Sequence, residues 1–384
     1  MATFGMLSTY PPAACGLATF SQALRDHLLA DDPECQVGVV QVLDGPQPVS
    51  ERAEVAAVLD GEGHGLEAAI KALNRCDTVI VQHEYGIYGG RDGERVLEVL
   101  DGLHNPVIVV LHTVLNEPTS HQREVLERIV ERTDRVVVLS RTAGTRLTKV
   151  YGIPAERVAV IPHGARVAPA PPRPGLGLGY VKPMRRGRPT ILSWGLIGPG
   201  KGIEWAVDAL AELRAMGVEA RYLVVGRTHP KVLQRQGEAY RDTLRRRTME
   251  RGVEDLVEFD AEYEGDQRLH EIIDAADVVL LPYDSREQVT SGVLIEAVAA
   301  RRPIVATAFP HAVELLGDGA GALVPHRNPE AMAWALRQVL TVPEVAQGMT
   351  AQAGLIAPTL AWSAVAHRYR KLADDVAAAA RVVA

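Results

Sequence analysis

The 384-residue chain carries 41 Lys and Arg against 48 Asp and Glu, a formal charge of −7, with 47% hydrophobic and 23% charged residues. That length accommodates two or three domains, each with its own core. The composition excludes low-complexity, collagenous and largely disordered chains, and the negative charge supplies no footprint for sequence-independent nucleic-acid binding.

No stretch approaches the roughly 18 uninterrupted apolar residues of a spanning helix, and Met1–Gly16 has neither a positive start nor a sustained apolar run, so a cytoplasmic protein is expected. Cys15, Cys35 and Cys76 are odd in number and outside any CxxC pairing. Buried free thiols are expected rather than disulfides or a zinc knuckle.

Short β-branched runs at Gln36–Val42, Thr78–Gln82, Val107–Leu111 and Arg135–Leu139 alternate with amphipathic stretches such as Gly93–Leu103 and Arg123–Arg132. This rhythm predicts parallel βαβ units. It stops at Ala165–Thr190, where Pro and Gly crowd together and no helical or strand period survives, which reads as a linker. It restarts with strands at Ile191–Trp194, Ala220–Val225, Asp277–Leu281 and Pro303–Ala306, and helices near Gly202–Met216, Val232–Arg251, Ser291–Ala300 and Pro329–Leu340. Two Rossmann-like halves result. At the end, Trp362, Val365, Ala366, Tyr369, Leu372, Ala373 and Val376 form an apolar helical stripe that must pack on something.

In doubly wound sheets ligands sit beyond the carboxyl ends of strands, and four such places carry unusual chemistry. In "SWGLIGPGKGIEW", Gly195, Gly198, Gly200 and Gly202 let the backbone approach a ligand, the helix start offers free N–H groups, and Lys201 adds a positive charge: the makings of a phosphate loop. A tight βα turn with a solvated lysine is the competing reading. Gly195–x4–Gly200–Lys201 also matches a Walker A loop up to the position where Gly202 replaces the Mg²⁺-binding Ser or Thr, which leaves a P-loop NTPase or kinase as an alternative.

In "DVVLLPYDSREQVTSGVLIEAVAARRPIVAT" a buried strand feeds a polar loop, and a helix opens near Ser291–Gly292 with Thr290 or Ser291 as N-cap. The amides of Gly292 and Val293 can receive an anion. Glu296, set among apolar neighbours, is either a solvated helical residue or a carboxylate that takes donors such as sugar hydroxyls. "TVIVQHEYGIYGG" ends a strand in Gln82, His83, Glu84 and Tyr85, and "VIVVLHTVLNEP" ends another in His112. Each histidine alone reads equally as core or ligand contact; two at neighbouring strand ends favour the ligand. Among 12 His there is no HExxH, no DxD with apolar flanks and no GxSxG, so neither a required metal nor a serine nucleophile is expected.

Together these pieces resemble retaining glycosyltransferases of family 4, over nearly the whole chain. "YPPAACGLATFSQAL" is similar to that family's glycine loop after the first strand, with Gly16 facing donor and acceptor. "VVVLSRTAGTRLTKVYGIPAERVAVIPHG" is similar to the run closing the first domain, "GLIGPGKG" to its phosphate loop, and "QVTSGVLIEAVAARRPIVAT" to its Glu–x7–Glu segment. Leu196 stands where the family carries Arg, a loss that Arg227 would offset, and Gln288 stands at the first Glu.

The resemblance implies an α/β GT-B protein: two Rossmann-like domains facing across a cleft, with a C-terminal helix crossing back. The N-terminal domain would span 1–168 plus 359–384, the hinge 169–189 and the nucleotide-sugar domain 190–358. A GDP-, UDP- or ADP-hexose would be the donor substrate, with no cofactor required, and a saccharide or other hydroxyl compound the acceptor, in carbohydrate biosynthesis.

The resemblance assigns His112, Lys201, Gln288 and Glu296 to catalysis. Glu296 would hold the ribose and Lys201 the diphosphate, while Gly16, Gly195, Gly200, Arg227, Ser291, Gly292 and Val293 would complete the donor site. Gln288 would read the transferred sugar and His112 would lie near its reactive face; His83, Glu84 and Tyr85 would shape the acceptor side. Retention is expected by front-face attack with the leaving diphosphate as base, in preference to Glu84 as a covalent nucleophile. A non-catalytic sugar-nucleotide-binding protein is a further alternative. The Arg185–Arg186–Arg188 cluster and the Arg245–Arg247 run read as solvated faces in preference to headgroup contacts, leaving at most weak peripheral membrane association.

Overall fold

The computed structural model describes residues 2–13, 15–45, 48–167, 187–261 and 265–383. Of the expected hinge at 169–189, residues 169–186 lie outside these, as do Arg185 and Arg186. The chain divides into two compact units, Met1–Gly164 with Thr359–Ala384, and Ala165–Pro358.

In chain order the first unit holds β1 (Thr3–Ser8), α1 (Gly16–Asp31), β2 (Gln36–Leu43), β3 (Val55–Asp60), α2 (Leu66–Leu73), β4 (Thr78–His83), α3 (Val96–Asp101), β5 (Val107–Leu111), α4 (Ser120–Glu131), β6 (Arg135–Val138), α5 (Arg141–Val150) and β7 (Val158–Val160). The strands form one sheet in the order β3-β2-β1-β4-β5-β6-β7, parallel throughout. Strands covered on both faces read as unbroken apolar runs, and β5, Val-Ile-Val-Val-Leu, is buried at every position. β4 is buried at every position too, although it ends in Gln82 and His83. Helix starts are fixed locally: Thr119 and Gln122 close a reciprocal capping box on α4, and the Ser140 hydroxyl accepts the Ala143 N–H at the start of α5.

The helix expected over 93–103 is shorter. A 3₁₀ turn at Arg91–Gly93, with Asp92 and Gly93 at φ 53° and 75°, precedes α3 and delays the helix. The expected buried thiols are partly so: Cys35 is buried, while Cys15 and Cys76 are half-buried, and all three are free.

The second unit holds β8 (Thr190–Trp194), α6 (Ile203–Ala215), β9 (Arg221–Val225), α7 (Pro230–Gln236), α8 (Ala239–Glu250), β10 (Val257–Asp260), α9 (Gly265–Ala275), β11 (Val278–Leu281), α10 (Gly292–Ala299), β12 (Ile304–Thr307), α11 (Pro310–Leu316), β13 (Ala322–Val324), α12 (Pro329–Thr341) and α13 (Pro343–Leu360). Its sheet, order β10-β9-β8-β11-β12-β13, is also parallel. The order reverses at β8/β11, as it does at β1/β4 in the first unit. The single helix expected over 232–251 is two, because Gly237 at φ 59° breaks it.

The terminal helix α14 (Trp362–Val383) packs on α1. Val365, Ala366, Tyr369, Ala373 and Val376 enter the core of Phe4, Phe20, Leu24 and Leu28. The contact is close at its start: a Cβ added to Gly164 would collide with the Trp362 ring. Among the described residues no helix is long and apolar enough to cross a membrane.

Tyr369 is wholly buried and its hydroxyl meets no hydrogen-bonding partner among the described residues. Tyr369→Ala is expected to cost about 3–5 kcal/mol in denaturant unfolding, whereas Tyr369→Phe, which removes only an unpaired polar atom, is expected to be neutral or to gain about 1 kcal/mol.

Candidate functional site

In the second unit the loop after β8 and the start of α10 meet beside the β8/β11 reversal. A Cβ placed on Gly195 would lie 3.5 Å from the Val293 side chain. Ser291 is the N-cap of α10; its hydroxyl accepts the Leu294 N–H and its own N–H donates to His311 Nδ1 at 2.9 Å. That bond requires an unprotonated Nδ1, so the buried His311 braces the helix tip as a neutral ring. Gly292 and Val293 open the helix beyond this cap, where backbone N–H groups have no intrahelical acceptor.

Lys201 stands at the end of the glycine loop with its Nζ 4.6 Å from the centre of the Tyr283 ring. Tyr283 follows β11, stacks on Phe309 at 5.1 Å and is anchored through its carbonyl by Thr307 Oγ1 and His326. The ammonium therefore rests on a rigid aromatic face, an attraction of about 0.5–2 kcal/mol. Gly202, next in sequence, has φ 67°, and a Cβ there would strike the Pro282 carbonyl oxygen. Asp284 N–H donates to the Gly200 carbonyl at 3.0 Å, joining the two loops again.

Glu296 lies on α10 and its Oε2 accepts the indole N–H of Trp194, the last residue of β8, at 2.9 Å. Ile197 N–H donates to the Arg227 carbonyl and His229 N–H to the Ile197 carbonyl, zipping the glycine loop to the loop after β9. The Arg227 side chain is exposed. His229 lies near enough for Lys201 to help hold its pKa below the usual histidine value, after burial and Lys231. Gln288 is used locally: its Nε2 donates to the Thr290 carbonyl at 3.0 Å, a bond that glutamate could not make.

In the first unit the β4/β5 register sets His83 against Leu111, and His112 N–H donates to the His83 carbonyl. His112 Nε2 lies 2.7 Å from Gln82 Oε1. An amide oxygen only accepts, so Nε2 carries the proton and Nδ1 the lone pair. Phe20 of α1 meets the His112 ring edge-on at 4.9 Å and touches His163 and Trp362 as well. Glu84 accepts from Thr113 Oγ1 at 2.6 Å and from Tyr85 N–H at 3.1 Å, and Tyr85 meets the fully buried His83 at 5.2 Å. Gly16 opens α1, and a Cβ there would meet nothing within 4 Å among the described residues, so none of these requires a glycine at this position.

Burial drives three imidazoles toward neutrality: His83 and His163 to about 4, and His112, with His163 and His83 adding repulsion, to about 3. Burial also raises the Tyr85 phenol well above its usual value, with Tyr151 contributing.

The structure thus gathers Gly195, Gly200, Lys201, Ser291, Gly292, Val293 and Glu296 around one strand-order reversal, and Gly16, His83, Glu84, Tyr85 and His112 at strand ends and a helix start of the first unit. Reading the sequence missed Trp194, Tyr283 and His311, and saw Gln82 only as part of a polar strand end without its bond to His112, because each acts on a partner that only folding supplies; a tryptophan closing a strand beside the glycine loop was the one visible signal. Among the described residues no three His, Cys, Asp or Glu side chains are placed to hold a metal ion.

Solved structures share this architecture. The chain superposes with a TM-score of 0.72 on Anabaena Alr3699/HepE in complex with UDP, at 16% identity over 98% of this chain and 100% of that one. On sucrose-phosphate synthase from Thermosynechococcus elongatus the score is 0.74, at 20% identity over 99% and 100%. These likenesses define the class: a two-domain α/β protein of GT-B fold. Its sequence is more specific. Residues 34–168 match the family model Glycosyltransferase Family 4 and residues 188–342 match Glycosyl transferases group 1, and the chain belongs to this family of group 1, family-4-type glycosyltransferases.

D-inositol 3-phosphate glycosyltransferase of Kineococcus radiotolerans is 31% identical over 271 residues, 66% of this chain and 60% of that protein. Alpha-D-kanosaminyltransferase of Streptomyces kanamyceticus is 27% identical over 272 residues, 65% and 64% respectively. The matched region is thus less than two thirds of either relative's length.

The three neutral histidines make stability depend on pH. An unfolded histidine binds its proton near pH 6.5, while these bind only near 3–4 when folded. Between those values the unfolded chain holds more protons, so stability falls as pH is lowered from about 6.5 toward 4. Denaturant unfolding at pH 7, 5.5 and 4.5 is expected to show this decline, and His83→Leu to make it shallower.

Proposed function

We propose that this protein transfers a hexose from a nucleotide diphosphate sugar to a hydroxyl of a saccharide or other acceptor, with retention of configuration and without a required metal. One observation carries the reading: the glycine loop with Lys201, the N-terminus of α10 and Glu296 converge at the β8/β11 reversal, where open α/β sheets bind nucleotides. The family membership and the UDP-bound structural neighbour support it.

In this reading the diphosphate is received by the amides of Gly292 and Val293 and by the Lys201 ammonium, and the ribose hydroxyls donate to Glu296. As the glycosidic bond breaks, negative charge grows on the leaving phosphate oxygen. A fixed cation and a helix N-terminus aimed there stabilise the transition state more than the ground state. The departing phosphate then takes the acceptor proton on the face it leaves, which retains configuration. Neutral His112, with its Nδ1 lone pair, would accept from a sugar hydroxyl, and Glu84 and Tyr85 would shape the acceptor side.

The NTPase alternative loses support at Gly202. A P-loop needs a Ser or Thr hydroxyl there for Mg²⁺, yet φ 67° and the Pro282 carbonyl leave no room for any side chain. In this proposal the donor carries guanine, uracil or adenine, and the transfer serves carbohydrate biosynthesis.

A thermal-shift screen of GDP-, UDP- and ADP-sugars is expected to single out one base, a ligand at 100 times its Kd adding about 2.7 kcal/mol. Lys201→Ala and Glu296→Ala are each expected to weaken that donor at least tenfold by calorimetry, the loss of a charge-assisted hydrogen bond. Unchanged binding in both variants would refute the reading, as would tight donor binding with no transfer to any acceptor.

A further inference from the structure

Glu296 sits on a helix whose other residues from Leu294 to Ala299 are buried and apolar, while it is itself only half-buried. A glutamate there has three side-chain torsions to fix before both hydroxyls of a ribose can be met at once. Within α10 the neighbouring side chains, Ile295, Ala297 and Val298, are aliphatic and cannot orient a carboxylate. An orienting group comes from another element: Trp194 is 5% exposed, closes β8, and directs its indole N–H to Glu296 Oε2 at 2.9 Å across 102 positions of sequence. An indole N–H only donates and a carboxylate only accepts, so the direction of this bond is fixed by chemistry.

Trp194 is itself held. Its backbone pairs in register with Val225 of β9, and the next residue's N–H donates to the Val225 carbonyl at 3.0 Å. The same strand end launches the glycine loop that carries Lys201. The indole bond therefore ties the carboxylate assigned to the ribose to the strand that presents the cation assigned to the diphosphate, at a separation set by β8.

We propose that Trp194 is a positioning residue that sets the recognition of ribose, holding one oxygen of Glu296 so that the carboxylate meets the 2′- and 3′-hydroxyls of a ribonucleotide donor as a preorganised pair. This inference rests on the nucleotide-sugar reading above. A ribose-specific role differs from packing in a measurable way, because packing would affect every nucleotide alike.

The test is calorimetry of the wild-type protein, Trp194→Phe, Glu296→Ala and the double variant, each titrated with UDP, GDP or ADP, whichever binds, and with its 2′,3′-dideoxy counterpart. Trp194→Phe is expected to lower affinity for the ribonucleotide about tenfold and to leave the dideoxynucleotide within about twofold. Glu296→Ala is expected to remove the preference for ribose, and adding Trp194→Phe to it is expected to cost nothing further, since the two residues act as one unit. The indole N–H resonance of Trp194 gives a readout in protein whose Trp194 is intact: it is expected to shift in Glu296→Ala.

Equal weakening of ribo and dideoxy forms by Trp194→Phe would overturn the inference, as would an additive loss in the double variant or an indole resonance unmoved by Glu296→Ala. If Glu296→Ala changes neither ligand, the ribose role given to Glu296 in the nucleotide-sugar reading falls and this inference falls with it, while the reading as a whole falls only if Lys201→Ala also leaves binding unchanged. If Glu296→Ala abolishes ribose preference while Trp194→Phe leaves it intact, this inference alone fails.

Discussion

Every described strand in both sheets runs parallel, and that constraint delivers the candidate sites. A parallel sheet presents all its carboxyl ends along one edge, and where strand order reverses the loops on either side diverge and leave a gap between helix starts. In the second unit the reversal at β8/β11 brings together a glycine loop, a lysine, a helix N-terminus and a glutamate from positions 195 to 296. Any antiparallel partner for β8 or β11 would have sent one of these groups to the opposite edge.

Close backbone approach then fixes the geometry that the sheet only makes available. Gly202 passes under the Pro282 carbonyl in the left-handed region, and the Asp284 amide reaches back to the carbonyl of Gly200. The strand ends β8 and β11 are thereby locked at loop level as well as through their ladder, and Lys201 is set against the Tyr283 ring. In the first unit the equivalent task falls to side chains: Phe20 wedges between His112, His163 and Trp362, so that the terminal helix α14 and the end of β5 share one aromatic support. The two units solve a common topological problem with different materials, backbone in one and aromatic rings in the other.

Much of this was legible from residue order. The alternation of β-branched runs with amphipathic stretches marks parallel βαβ units because a doubly covered strand has no polar face to show, and the i, i+3, i+4 stripe from Trp362 to Val376 marks a helix with a buried side. Elements with weaker periodicity escaped: β3 has partly exposed residues along most of its length, and a glycine at 237 cut in two a segment whose composition is uniformly helical. Among the candidate residues, Lys201 was readable because glycines, a cation and a helix start occur within a few residues of each other, and Gly292 and Glu296 because a polar loop after a strand opens into a helix there. Trp194 and His311 were not, since each acts on a residue 102 or 20 positions away. Gln288 shows a further limit: its identity was plain, but that its amide closes onto Thr290 depends on a turn no spacing specifies.

The sequence by itself determined the fold class and pointed to the strand ends that carry the candidate residues, because hydrophobic periodicity and glycine placement are local properties. Tertiary structure alone decided which side chains are held and by what: the indole on the carboxylate, the ammonium on the aromatic ring, the imidazoles kept neutral by their surroundings. Those are contacts between residues distant along the chain, and their directions depend on rotamers and burial that are fixed only once the layers pack.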